Sequence, residues 1–139
     1  VRDARKAVRW AAKEAKLRGM KLELVSAWGI PIYSYVYGYG LPAISEDMMK
    51  SLTARAEGHL AEALDEAQAE ARDVQIETIA LDGQPAKVLV EVAKGADLLV
   101  VGSRGLGGFR ELLLGSVSQQ CAQHATCPVV IVRHLEEGA

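Results

Sequence analysis

The sequence predicts an α/β fold: one domain built on a parallel sheet with helices on both faces. Three observations lead there. Segments of helical period alternate with short apolar segments along the whole chain, in the order α-β-α-β-α-β-α-β. Each apolar segment is separated from the next by a helix-length crossover, which parallel strands need and antiparallel hairpins do not. The length of 139 residues suits one domain, and 50% hydrophobic residues against 24% charged ones suffice for a core.

The elements follow in order. Asp3 to Arg18 is amphipathic: Ala4, Ala7, Val8, Ala11, Ala12 and Ala15 recur at three- and four-residue spacing among Arg and Lys. Asp3 is its expected N-cap, and Gly19 its left-handed terminator. Leu22 to Trp28 (LELVSAW) is a strand expected to be buried on both faces. Gly29 to Pro42 shows no period, and it holds all four tyrosines, Tyr33, Tyr35, Tyr37 and Tyr39. With Gly38 and Gly40 among them it is expected to be a mobile loop rather than an edge strand.

A long helix is expected from Glu46 to about Arg72, capped by Ser45, with Met49, Leu52, Ala56, Leu60, Ala63, Leu64, Ala67 and Ala71 as its apolar stripe. Val74 to Leu81 alternates as a strand with one wetter side. Asp82-Gly83-Gln84 turns the chain, and Pro85 sits where a first helical residue tolerates it. The helix Ala86 to Lys94 is closed by Gly95; Leu98 to Val101 is a short apolar strand. After a glycine-rich loop come a helix from about Ser116 to Ala125, a last strand Val129 to Arg133, and a frayed tail at Glu136 to Ala139.

Composition excludes several function classes. Sixteen basic and 18 acidic side chains give a net charge of −2, without the concentrated basic patch that nucleic acid or an anionic membrane surface requires. No secretion signal and no apolar run of membrane-spanning length is found. The two cysteines, Cys121 and Cys127, are too few for a disulfide scaffold, so the cytoplasm is the expected compartment.

The chemistry concentrates in Val100 to Gln120, VVGSRGLGGFRELLLGSVSQQ. The segment leaves a buried strand and ends on a helix, where open α/β sheets bind ligands. Gly102, Gly105, Gly107 and Gly108 leave backbone N–H groups approachable by an anion. Gly115-Ser116 starts the helix, whose unpaired N–H groups and positive dipole end suit a phosphate. The spacing is not that of a P-loop, since no lysine stands between Gly115 and Ser116, and no G-x-G-x-x-G triplet occurs. What does occur is Gly102, two residues, Gly105, nine residues, then Gly115-Ser116.

This G-2x-G-9x-G-S arrangement resembles the nucleotide-binding signature of the universal stress protein family, ATP-binding type. AVRWAAKEA (Ala7 to Ala15), LVSAW, the run from Gly83 to Phe109 and CPVVIVR (Cys127 to Arg133) extend the resemblance over nearly the whole chain. It implies ATP as ligand, with Mg2+ as an accompanying ion, and a regulatory stress-response role. By position, Gly102 and Gly105 would line the ribose and phosphates, and Gly115 and Ser116 would hold the terminal phosphates. Val117 would add a backbone N–H, and Ala27 and Val101 would flank the adenine. Arg104 is placed between phosphate contact and a solvated charge, and Arg110 and Glu111 are taken as a solvated face.

The resemblance also implies residues 1–139 as a single nucleotide-binding domain on a five-stranded open sheet of order 3-2-1-4-5. It further implies a homodimer through the last strand, Val129 to Arg133, with the client protein undefined. One departure stands out. The family carries an acidic residue at the end of a first strand; here no such strand is found, and Asp3 is not that residue. The expectation is that residues before Val1 are missing or that another segment fills the centre of the sheet.

Catalytic sets are absent from the sequence. No Ser–His–Asp or Cys–His arrangement has an elbow or oxyanion loop around it. An ATP hydrolase would need a base and a metal-binding carboxylate, for which the signature segment offers only Glu111. Cys121, His124 and Cys127 lack a fourth zinc ligand and read as residues of a helix–strand junction. His59 and His134 stand without a nearby acid or nucleophile. The competing functions are a nucleotide-free interaction module of the same fold and a slow ATP hydrolase.

Overall fold

A computed structural model of the protein describes residues 2–28, 46–103 and 114–133. The described elements are α1 (Arg2–Arg18), β1 (Leu22–Trp28), α2 (Glu46–Glu70), β2 (Ile76–Asp82), α3 (Pro85–Val92), β3 (Leu99–Gly102), α4 (Ser116–His124) and β4 (Val129–Val132). The expected helix cap Ser45, the tyrosine segment Tyr33 to Tyr39, His134 and the tail at Glu136 to Ala139 lie outside the described residues.

Helix α1 forms because its alanines share one face, where Ala7, Ala12 and Ala15 are buried. It ends as its sequence requires. Gly19 adopts φ +66°, and the Gly19 and Met20 N–H groups donate back to the Lys16 and Ala15 carbonyls at 3.4 and 2.9 Å. That pair of bonds satisfies carbonyls the helix would leave open. Asp3, expected as the N-cap, lies inside the helix because the first turn already begins at Arg2. Helix α2 stops two residues short of the expected Arg72, with Ala71 N–H closing on the Ala67 carbonyl at 2.9 Å.

The described strands make two parallel pairs. β1 pairs with β2 from Leu22↔Ile76 to Trp28↔Asp82, and β3 pairs with β4 from Leu99↔Val129 to Gly102↔Val132. Helix α1 packs against β1, β3 and β4, so it spans both pairs and places β3 on the β1 side. Helix α2 lies on β1 and β2 beside α1, while α3 packs against β1 and α4. The crossover from β1 to β2 runs away from β3, and the crossover from β2 to β3 runs back. Right-handed connections in opposite directions put α2 and α3 on opposite faces.

Burial corrects two expectations. β1 is not buried on both faces: Leu22 and Leu24 are buried, Glu23 is exposed, and Val25 to Trp28 are half-buried. β2 does not alternate cleanly either, because only Ile76 and Ile79 are partly covered. The main core gathers Ala12, Ala15, Leu22, Leu24, Leu60, Ala67 and Ala71. Alanines at 0% exposure on both α1 (Ala12) and α2 (Ala67) let the two helices approach closely.

Three ion pairs tie these helices along their exposed flank: Arg5–Glu62 at 3.8 Å, Arg9–Glu66 at 3.4 Å and Lys13–Glu70 at 3.8 Å. Each rung advances four residues on both helices, so their axes run in the same direction and in step.

Candidate functional site

The carboxyl end of β3 and the amino end of α4 are built from Val101 through Ser103 and from Leu114 through Ser118. Val101 is buried and pairs with Ile131; Gly102, the last strand residue, is half-buried and pairs with Val132. Ser103 N–H continues the ladder by donating to the Val132 carbonyl at 2.9 Å. The chain comes back to this point twelve residues later, where Gly115 N–H donates to the Ser103 carbonyl at 2.6 Å.

Gly115 is the N-cap of α4, with φ −76° and ψ 169°. Glycine offers no side-chain oxygen, and no side-chain bond caps this helix. The first intrahelical bond is Gln119 N–H to the Gly115 carbonyl at 3.0 Å. The N–H groups of Ser116, Val117 and Ser118 therefore have no acceptor within the helix. No acidic residue stands in the first turn to neutralise them. A helix start with no side-chain cap and no acidic residue in its first turn, beside the end of a parallel strand, can accept an anion.

The residues singled out from the sequence divide clearly. Val101, Gly102, Gly115, Ser116 and Val117 are brought together by the Gly115–Ser103 bond; Ser116 is exposed and Val117 half-buried. Ala27 is the half-buried sixth residue of β1 and pairs with Leu81 in the other strand pair. Arg104, Gly105, Arg110 and Glu111 lie outside the described residues. The hollow lined by Gln68, Ala69 and Arg72 belongs to the end of α2 and includes none of these residues.

Sequence reasoning passed over two residues here. Ser118 is buried, and its hydroxyl lies 2.8 Å from the Ser103 carbonyl. Ser103 itself is buried at 3% exposure. The available signal was a second serine in the first turn of the helix, just after Gly115-Ser116. Cys121 is fully buried one turn further on, and desolvation raises its thiol pKa, which keeps it neutral and unreactive. His124 is exposed, and among the described residues no three His, Cys, Asp or Glu side chains stand together as a metal site.

Comparison with known proteins bears on this geometry. The model of the universal stress protein family matches residues 2–133. A universal stress protein of Thermus aquaticus is 37% identical over 132 residues, covering 94% of this chain and 90% of that protein. Universal stress protein YxiE of Bacillus subtilis is 52% identical over 64 residues, 45% of this chain. That match spans 43% of YxiE, and the match to Mycobacterium tuberculosis Rv2005c spans 39% of its length. Among solved structures, a universal stress protein in complex with cAMP is 30% identical with a TM-score of 0.67, covering 96% of this chain and 89% of that one. The Archaeoglobus fulgidus protein in complex with dAMP has a TM-score of 0.64 at 23% identity, a likeness of fold.

Proposed function

The chain belongs to the universal stress protein family, and from that premise we propose that it is a regulatory protein that binds an adenine nucleotide such as ATP. The observation carrying this reading is the helix start at Gly115. No side-chain bond caps it, its first turn holds no acidic residue, and a backbone bond holds it at the end of β3. A relative of 30% identity taken in complex with cAMP supports the adenine part of the assignment.

In this reading Gly115, Ser116 and the Val117 N–H hold the phosphates, with Gly102 beneath the ribose. Gly105 and Arg104 join from the glycine-rich segment, and Val101 and Ala27 flank the base. Mg2+ enters on the nucleotide's own phosphates, as that ion commonly does. Bound nucleotide acts as a switch of conformation or partner choice. Titration calorimetry with ATP, AMP and cAMP tests the proposal. Binding with a dissociation constant below millimolar is expected, and no heat at millimolar protein and ligand would overturn it.

The same reading includes the assembly. The two strand pairs would be halves of one five-stranded sheet of order 3-2-1-4-5. β4 is wholly apolar, yet all four of its residues are only half-buried. It pairs with its copy across a two-fold axis to give a homodimer. A monomer in sedimentation at micromolar concentration would refute that assignment. Both cysteines are unpaired, which suits the reducing cytoplasm as the working compartment.

A further inference from the structure

We propose that Ser118 is the positioning residue of the phosphate site, holding the start of α4 against β3 through its hydroxyl so that the helix is anchored without being capped. The proposal rests on the nucleotide-binding reading above and adds to it a residue outside the glycine–serine signature.

The geometry carries it. A serine in a helix ordinarily turns its hydroxyl back to a carbonyl three or four residues earlier. Ser118 has such an acceptor, the Gly115 carbonyl, at 3.1 Å. Its shorter contact leaves the helix altogether and reaches the Ser103 carbonyl at 2.8 Å, fifteen residues back. One hydroxyl carries one proton, so the shorter contact is the one it makes at full strength. The Ser103 carbonyl then uses both lone pairs, accepting from Gly115 N–H at 2.6 Å and from Ser118 Oγ at 2.8 Å. Two donors from the first turn of α4 thus converge on one strand-end oxygen.

Burial gives this pair of bonds its strength. Ser118 is 1% exposed and Ser103 3%, so water cannot replace the hydroxyl if it is removed. The chemistry also explains why a hydroxyl serves here. A helix start is usually fastened by a side-chain acceptor at the N-cap, which consumes the N–H groups of the first turn. Ser118 fastens it by donating outward from the third helical residue. The first-turn N–H groups of Ser116, Val117 and Ser118 are thus left without a side-chain cap, as an incoming phosphate requires.

The test is Ser118→Ala, with Ser118→Cys as a second variant that keeps the volume and loses the strong donor. Each is titrated calorimetrically with AMP and with adenosine, and the Gly115 amide is followed by hydrogen exchange. The expected result is a roughly five- to tenfold weaker AMP affinity, the loss of one hydrogen bond, with adenosine affinity unchanged and faster Gly115 exchange. Equal AMP affinity in wild type and both variants would overturn the proposal while leaving the nucleotide-binding reading intact. An equal loss for AMP and adenosine would also overturn it, because a general loosening of the fold does not distinguish the phosphate. Failure of the wild-type protein to bind ATP, AMP and cAMP alike would instead sink the nucleotide-binding reading.

Discussion

Neutralising the middle rung of the α1–α2 ladder, with Arg9→Gln, Glu66→Gln and the double variant, measures how firmly these helices are held in step. Arg9 Nε and Glu66 Oε2 are 3.4 Å apart, with side chains 45% and 31% exposed. Two unit charges at that distance in water attract by roughly 1.2 kcal/mol. Ordering two long side chains takes back part of this, which leaves about 0.5 kcal/mol of coupling, typical of an exposed pair. The outer rungs are longer at 3.8 Å and more exposed on the basic side, at 57% and 65%, so each contributes less. Removing all three together should destabilise the protein by about 1 kcal/mol.

Chemical denaturation by urea, at low salt and again in 1 M sodium chloride, provides the assay. Urea is uncharged and leaves the screening to the added salt. In 1 M salt the screening length of about 3 Å matches the charge separation, so the coupling should fall by more than half. A coupling indistinguishable from zero at low salt, or one that salt leaves unchanged, would refute the electrostatic origin of the ladder. A value above about 2 kcal/mol would contradict the observed exposure.

Other expected outcomes follow from single positions. Gly83→Ala should destabilise by about 1–3 kcal/mol, read as a lower Tm, because Gly83 sits at φ +138° and a Cβ there would meet Val88 Cγ2 at 2.9 Å. Lys21 lies between Glu77 (3.1 Å) and Glu23 (3.4 Å), which oppose each other directly across β1 and β2. The bond to Glu77 and its charge raise the Lys21 pKa above the ordinary lysine value of 10.5. This stabilisation is fully present below 10.5 and is lost as pH rises through the higher folded value. Lys21→Met should therefore remove a step in stability that wild type shows above pH 10.5. Gly115→Val should weaken AMP binding at least tenfold with the far-UV circular-dichroism spectrum of the protein kept. Its φ of −76° is open to any residue, so the effect falls on the space a phosphate would occupy.

Much of the chain was legible before its structure. Gly19 and Gly95 end their segments with φ +66° and +81°, as residues without a Cβ do. Pro85 opens α3 where its missing N–H costs nothing. Val129 to Val132 and Leu99 to Gly102 fall within a residue of their expected bounds. Strand faces were less legible. Val74 to Leu81 was expected to alternate with one wetter side, but Thr78 and Ala80 are exposed along with Glu77. Alternation tells which residues share a face; the packing of neighbours decides whether that face is covered.

The candidate site divides along the same line. Gly102, Gly115 and Ser116 could be chosen from spacing alone, because phosphate chemistry demands bare backbone and a helix start. Ser118 could not, since a polar residue in a first turn is common and its acceptor is fifteen residues away. The order of helices and strands, their caps, and the glycine–serine spacing were determined by the sequence itself, because each depends on a residue's own φ and ψ preferences and on a period of a few residues. The pairing of strands in two parallel sets, the rungs joining Arg5, Arg9 and Lys13 to Glu62, Glu66 and Glu70, and the closure of Gly115 and Ser118 on Ser103 were decided by the tertiary structure. Those contacts join segments far apart in the chain, and crossover geometry and packing bring them together where no local pattern can.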